Sequence, residues 1–155
     1  SRGYFDPHSL LEIGHTPTFS SAVTDTVEVY PTDADAVADV EAAANPRAKF
    51  CQFRLLGPDL QSALNLTVGL GPGTFAGQPV FLARRLPRVG DHIADDAFNV
   101  PYTYKGSSGV VYNDIVFVQK GRSESVLWFF NFRHATATSI LTNVASAAAS
   151  RLDAS

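Results

Sequence analysis

The last third of the chain constrains the fold more than any other stretch. From Val110 to Val118 an apolar run, VVYNDIVFV, leads to the turn pair Lys120–Gly121. A second run, SVLWFFNF, follows from Ser125 to Phe132. β-Branched and aromatic residues suit a pleated, half-buried backbone, and two such runs split by a glycine-containing turn predict a hairpin. A Thr-rich helix start at Thr136 and Thr138 then opens an amphipathic stretch, SILTNVASAAASRL, that ends at Leu152. Within it Ile140, Leu141, Val144, Ala148 and Leu152 recur at spacings of three and four, opposite a face of Ser, Thr, Asn and Ala, and Arg151 suits the negative pole of the helix. Burying that stripe on the hairpin is the natural way to finish a core.

Upstream the signals are shorter. Asp6-Pro7 before HSLLEI, with Gly14 after it, predicts an N-terminal helix: Asp6 caps, Pro7 suits the first position and Gly14 the end. TVEVY, Thr26 to Tyr30, alternates with period two and reads as a strand. Pro31-Thr32-Asp33 then introduces a helix over Ala34–Ala44, with acids in its first turns and Asn45-Pro46 as its stop. Its thin apolar stripe is Val37, Val40 and Ala44. KFCQFRLL, Lys49 to Leu56, and LQSALNLTVGL, Leu60 to Leu70, read as strands. PVFLARRL, Pro79 to Leu86, suits a short helix or a strand. Pro87 to Phe98 reads as a polar segment with a Gly-Asp turn, and FNVPYTY, Phe98 to Tyr104, as a short extended piece that Pro101 consigns to an edge.

A chain of 155 residues is most economically one domain, and it is long enough to bury about 70% of its unfolded surface without staples. The fold class that follows is α+β: a single twisted, mainly antiparallel sheet carrying an N-terminal helix, a middle helix and a C-terminal helix. The net charge of −3 and the scattered basic residues argue against nucleic acid as a partner. The one cysteine, Cys51, cannot form an internal disulfide and reads as a packed small hydrophobe. No apolar run approaches the ~20 residues that a membrane-spanning helix requires. The start, SRGYFDP, and the complete lack of methionine fit a processed or trimmed terminus.

Chemistry-bearing motifs are sparse. Asn65-Leu66-Thr67 fits a glycosylation sequon, but within a strand. GLGPGTFAG, Gly69 to Gly77, lacks the following GK[ST] and the strand–loop–helix setting of a phosphate cradle. Gly106-Ser107-Ser108-Gly109 has the wrong spacing for a nucleophile elbow. His8, His15, His92 and His134 form no metal-ligand spacing, so neither a metal nor another cofactor is implied and no catalytic residue is assigned. His92 lies beside Asp91 and near Asp95 and Asp96, a segment that would bind a cation or orient an imidazole if the four converged. The aromatic residues make the better candidate site. Tyr102 and Tyr104 alternate on one strand, and Trp128, Phe130 and Phe132 on another with Leu127 and Phe129 opposite. A strand apolar on both faces is either covered twice or lines a groove for an apolar ligand.

The order FDPHSLL, CQF on an early strand, LPRVGDHIADDAF, a strand–KG–strand hairpin and an Ala-rich final helix resembles actinobacterial exported small lipoproteins and the extracytoplasmic sensor-like domains of mycobacterial Ser/Thr kinases. That resemblance implies a twisted antiparallel sheet with helices on one side and a binding or sensing role at the cell envelope. It also implies an extracytoplasmic location, with membrane anchoring through a preceding segment. His8 stands where the first cysteine of the pattern belongs, while Cys51 matches the second, so the disulfide that the resemblance implies cannot form. The expected function is a non-enzymatic envelope protein that recognises a partner protein or an apolar, lipidic ligand through Tyr102, Tyr104, Trp128, Phe130 and Phe132. The alternatives are a small enzyme or metal-binding protein using Asp91, His92, Asp95 and Asp96, and a structural subunit of an assembly.

Overall fold

The computed structural model describes residues 21–45, 80–82, 85–104, 107–131 and 134–152. The expected N-terminal helix, the Lys49–Leu56 and Leu60–Leu70 strands and the Gly69–Gly77 loop lie outside them. Within them the order is β1 (Ser21–Val29), α1 (Asp33–Ala44), β2 (Val80–Leu82), β3 (His92–Tyr104), β4 (Ser107–Lys120), β5 (Ser123–Asn131) and α2 (Thr138–Leu152). The strands form one sheet in the order β1-β5-β4-β3-β2, and every pairing is antiparallel. The α+β class with a mainly antiparallel sheet is therefore observed. None of the described helices is long and apolar enough to cross a membrane.

The C-terminal hairpin forms where the sequence places it, with its turn one residue later than expected. Lys120 pairs with Ser123, so the loop is Gly121-Arg122, and Gly121 takes φ 55°. A two-residue loop with glycine first lets the backbone enter the positive-φ region and matches the twist of the flanking strands. β5 lies between β1 and β4, and β4 between β5 and β3. The most apolar strands thus take the interior positions.

α2 lies across this hairpin. Leu141, Ala145, Ala148 and Ala149 pack with Val116, Val118, Leu127 and Phe129, and Leu86 and Val89 close the same cluster. The stripe is turned slightly from the expected one: Val144 is partly buried, and Ile140, in the first turn, is 52% exposed. α1 packs elsewhere, with Val40 and Ala43 against Ala94 and Phe117. Ala94 pairs with Phe117, and Phe117 with Val126, whereas Val116 pairs with Leu127. Successive side chains of a strand point to opposite faces. The two helices therefore cover opposite faces of the sheet, in place of the one-sided packing that the resemblance implies. This double cover is why β5 is apolar on both sides.

α1 starts one residue before its expected bound. Thr32 is its N-cap: its hydroxyl accepts the Asp35 N–H at 3.2 Å and donates to the Asp35 carboxylate at 2.7 Å. Its buried stripe is Ala36, Val40 and Ala43, so Val37 and Ala44 are displaced from the contact that the spacing suggested. The largest departure is β3. The polar stretch after Gly90-Asp91 is a strand of 13 residues. Gly90 makes the turn before it at φ 67°, where a Cβ would come within 2.7 Å of the Gln119 carbonyl oxygen. Pro101 sits inside β3, opposite Val110, beyond the three residues that β2 pairs. Among the described residues the strand has a partner there on one side only, where a residue with no N–H is tolerated.

Candidate functional site

Trp128 and Phe130 meet as expected. Their ring centroids are 6.5 Å apart at 67°, an edge-to-face contact. Phe130 is buried, and the half-buried Trp128 already donates its indole N–H to Asn113 Oδ1 at 3.2 Å. Phe98, Val100, Val111 and Asn113 on the same face are buried too. The backbone of Tyr102 and Tyr104 lies farther along the sheet, opposite Gly109 and Ser107 and beyond the reach of β5, whose pairing with β4 ends at Tyr112–Asn131. Phe132 lies outside the described residues. The part of the aromatic set seen together is thus a packed pair whose one polar group is satisfied within the fold.

The acidic segment around His92 does not converge. The alternation of β3 sends Asp95 and Asp96 to opposite faces. Asp91 serves the turns: its Oδ2 accepts the Gly121 N–H at 3.0 Å, its N–H donates to the Gln119 carbonyl at 2.9 Å, and its own carbonyl accepts from Arg88 at 3.2 Å. It therefore ties the β3 entry to the β4–β5 loop. His92 Nδ1 lies 3.0 Å from Gln119 Oε1 rather than against a carboxylate. Among the described residues no group of three His, Cys, Asp or Glu side chains is arranged to hold a metal ion.

What the register does assemble is a polar rung across the hairpin end of the sheet. His92 pairs with Gln119, Gln119 with Glu124, and Glu124 with Glu28. All four project to the face that α1 covers. Gln119 and Glu124 are fully buried at the middle of the rung. Gln119 is satisfied, by His92 on one side and by donating Nε2 to the Gly121 carbonyl on the other. Glu124 is not: it is 0% exposed, and neither carboxylate oxygen has a hydrogen-bond partner among the described residues.

Above Glu124 sit Tyr30, just past the end of β1, and Asp39, on α1. The Tyr30 N–H donates to the Arg122 carbonyl at 2.8 Å, which fixes the strand end beside the hairpin loop. Its hydroxyl oxygen is 3.1 Å from Glu28 Oε2 and 2.9 Å from Asp39 Oδ2. Burial pushes the Glu124 carboxyl up to about 7, with the negative charges of Asp39 and Glu28 adding to the rise and the Tyr30 hydroxyl opposing it. The Tyr30 phenol is raised by its burial and then by its bond to Asp39, so it stays protonated. Chemically this is a phenol and three carboxyls, one of them fully buried. It is a place to keep a proton.

The sequence carries a faint signal for this cluster. Glu124 follows the KGR turn closely and reads as the polar lead-in to SVLWFFNF. Only the pairing of β5 with β1 on its other side makes it an interior residue. In comparisons with known proteins, no protein-family model, no curated protein and no solved structure matches the chain.

Proposed function

We propose that the chain is a non-enzymatic binding protein of the cell envelope that recognises a partner protein along β1. The observation that carries this reading is β1, the outer strand of the sheet among the described residues. β1 pairs with β5 on one side, and on the face shared with α2 it presents Val23, Val27 and Val29 at 50%, 45% and 60% exposure. A nine-residue edge strand offering alternate apolar side chains is the surface that an incoming strand or apolar patch uses, with backbone groups supplying affinity and the side chains selectivity. The packed state of Trp128 and Phe130 favours a protein partner over a lipidic ligand held by the aromatic residues. The envelope location, extracytoplasmic and anchored, is supported by the resemblance of FDPHSLL, CQF and LPRVGDHIADDAF to exported actinobacterial proteins.

Native mass spectrometry of the protein isolated from its host, run beside a Val27→Lys/Val29→Lys variant, tests this. The reading expects a protein companion with the native chain that is lost from the variant while its circular dichroism stays unchanged. A companion retained equally by the variant contradicts it. A retained small apolar molecule in place of a protein would move the function to the aromatic strip.

A further inference from the structure

The rung and the residues above it carry an inference that does not depend on the partner reading. The Tyr30 hydroxyl has one proton and stands within hydrogen-bond distance of two carboxylates. It donates to one of them. Glu28 and Asp39 are both exposed, and together they gather negative charge at the Tyr30 hydroxyl. Glu124, directly below, adds a third carboxyl with no exposed surface and two oxygens lacking partners. Cut off from solvent and beside the charges of Asp39 and Glu28, an ionised group there is costly.

We propose that Glu124, Asp39 and Glu28, grouped around the Tyr30 hydroxyl, form a proton-operated clasp that holds α1 on the sheet while it keeps a proton and loosens α1 when that proton is lost to solvent. The three carboxyls come from three elements: Glu28 from β1, Asp39 from α1 and Glu124 from β5. From β4 the facing side chain is the neutral Gln119, which separates Glu124 from His92 on β3. Arg122 in the hairpin loop is exposed and meets Tyr30 through its carbonyl. Asp35, one turn before Asp39, is engaged with Thr32. Among the described residues no cation therefore stands among the groups that act on Glu124.

The direction follows from linkage. The docked carboxyl titrates near 7, above its ordinary value of 4.5, so the docked state holds the proton more tightly. Docking is strongest below the ordinary value, weakens as pH rises between it and about 7, and is at its weakest above that. α1 itself carries one of the three acids, Asp39. Its contact with the sheet rests on Ala36, Val40 and Ala43, whose small side chains supply little apolar area with which to oppose the change.

Amide hydrogen exchange on the full chain between pH 5 and pH 8, corrected for intrinsic exchange, reads this clasp directly. The expected result is that protection of α1 falls by at least about tenfold from pH 5 to pH 7 and then levels, while α2 changes far less. In Glu124→Gln the pH dependence of α1 disappears. Asp39→Asn, at an exposed helical position, keeps the fold and moves the fall to lower pH, because one of the charges that raises Glu124 is gone. Parallel behaviour of α1 and α2 in the native chain overturns the proposal. So does an unchanged α1 profile in Asp39→Asn, which decides the matter even if Glu124→Gln fails to fold.

Discussion

The two described helices pack on opposite faces of one sheet and are held by different physics. α2 presents Leu141 and a row of alanines to Val116, Val118, Leu127 and Phe129, and its attachment is almost wholly apolar. Beside that contact, among the described residues, is an ion pair of Arg151 with Asp25, which also accepts from the Ser125 hydroxyl at 2.6 Å. α1 rests on Val40, Ala43 and Ala36, and next to this thin contact stands a buried carboxyl with no hydrogen-bond partner among the described residues. Burial of apolar surface takes no account of protons. A buried acid does, so the same sheet has one helix whose docking is unconditional and one whose docking depends on the solution. The difference lies in what the register delivers to each face at the hairpin end: Val118 and Ser125 on one, Gln119 and Glu124 on the other.

This contrast can be broken in order of size. Leu141→Ala removes the largest fully buried side chain of α2 and is expected to cost about 3 kcal/mol in denaturant unfolding, by the same amount at pH 5 and pH 8. A loss below 1 kcal/mol, or one that changes with pH, would show that α2 is not the unconditional helix. Thr32→Ala removes the cap of α1 and is expected to cost about 1 kcal/mol, seen first as faster exchange in the opening turn of α1 and not in α2. If both helices lose protection together, they do not open separately and the comparison fails. Arg151→Ala breaks a pair whose side chains are 63% and 30% exposed, so about 0.5 kcal/mol or less is expected, fading as salt is added. A larger, salt-insensitive loss would mean that α2 leans on charge after all.

Much of this fold is legible in the sequence, and the pattern of what is not is physical. The β4–β5 hairpin announces itself because dense β-branched and aromatic runs flank a glycine turn, and that combination has few other uses. The α1 span is legible from Thr32, the acids of the first turn and Asn45-Pro46. Its rotation is not, since two valines three residues apart among alanines fix a stripe poorly, and contact with Ala94 and Phe117 turns Val40 and Ala43 inward. β3 is hidden because Asp91, His92, Asp95 and Asp96 look like a solvated loop. The strand forms because β4 offers a full partner, with Ala94, Ala97, Phe98 and Val100 supplying its buried positions. The expected aromatic site is half legible: alternation brings Trp128 and Phe130 to one face, but nothing local tells that the indole N–H has Asn113 as its partner. The Glu124 cluster is the least legible feature. It joins β1, α1 and β5, and only the antiparallel return of the hairpin to β1 brings Glu28, Tyr30 and Glu124 together.

The central claim is that Glu124 holds a proton near neutrality inside the fold. Carbon-13 NMR of the side-chain carboxyl of Glu124, titrated from pH 4 to pH 9 and assigned with Glu124→Gln, measures it most directly. A midpoint close to 7, accompanied by a chemical-shift change at Tyr30 over the same range, is the result the structure predicts. A midpoint near the ordinary 4.5, with Tyr30 unmoved, would contradict it.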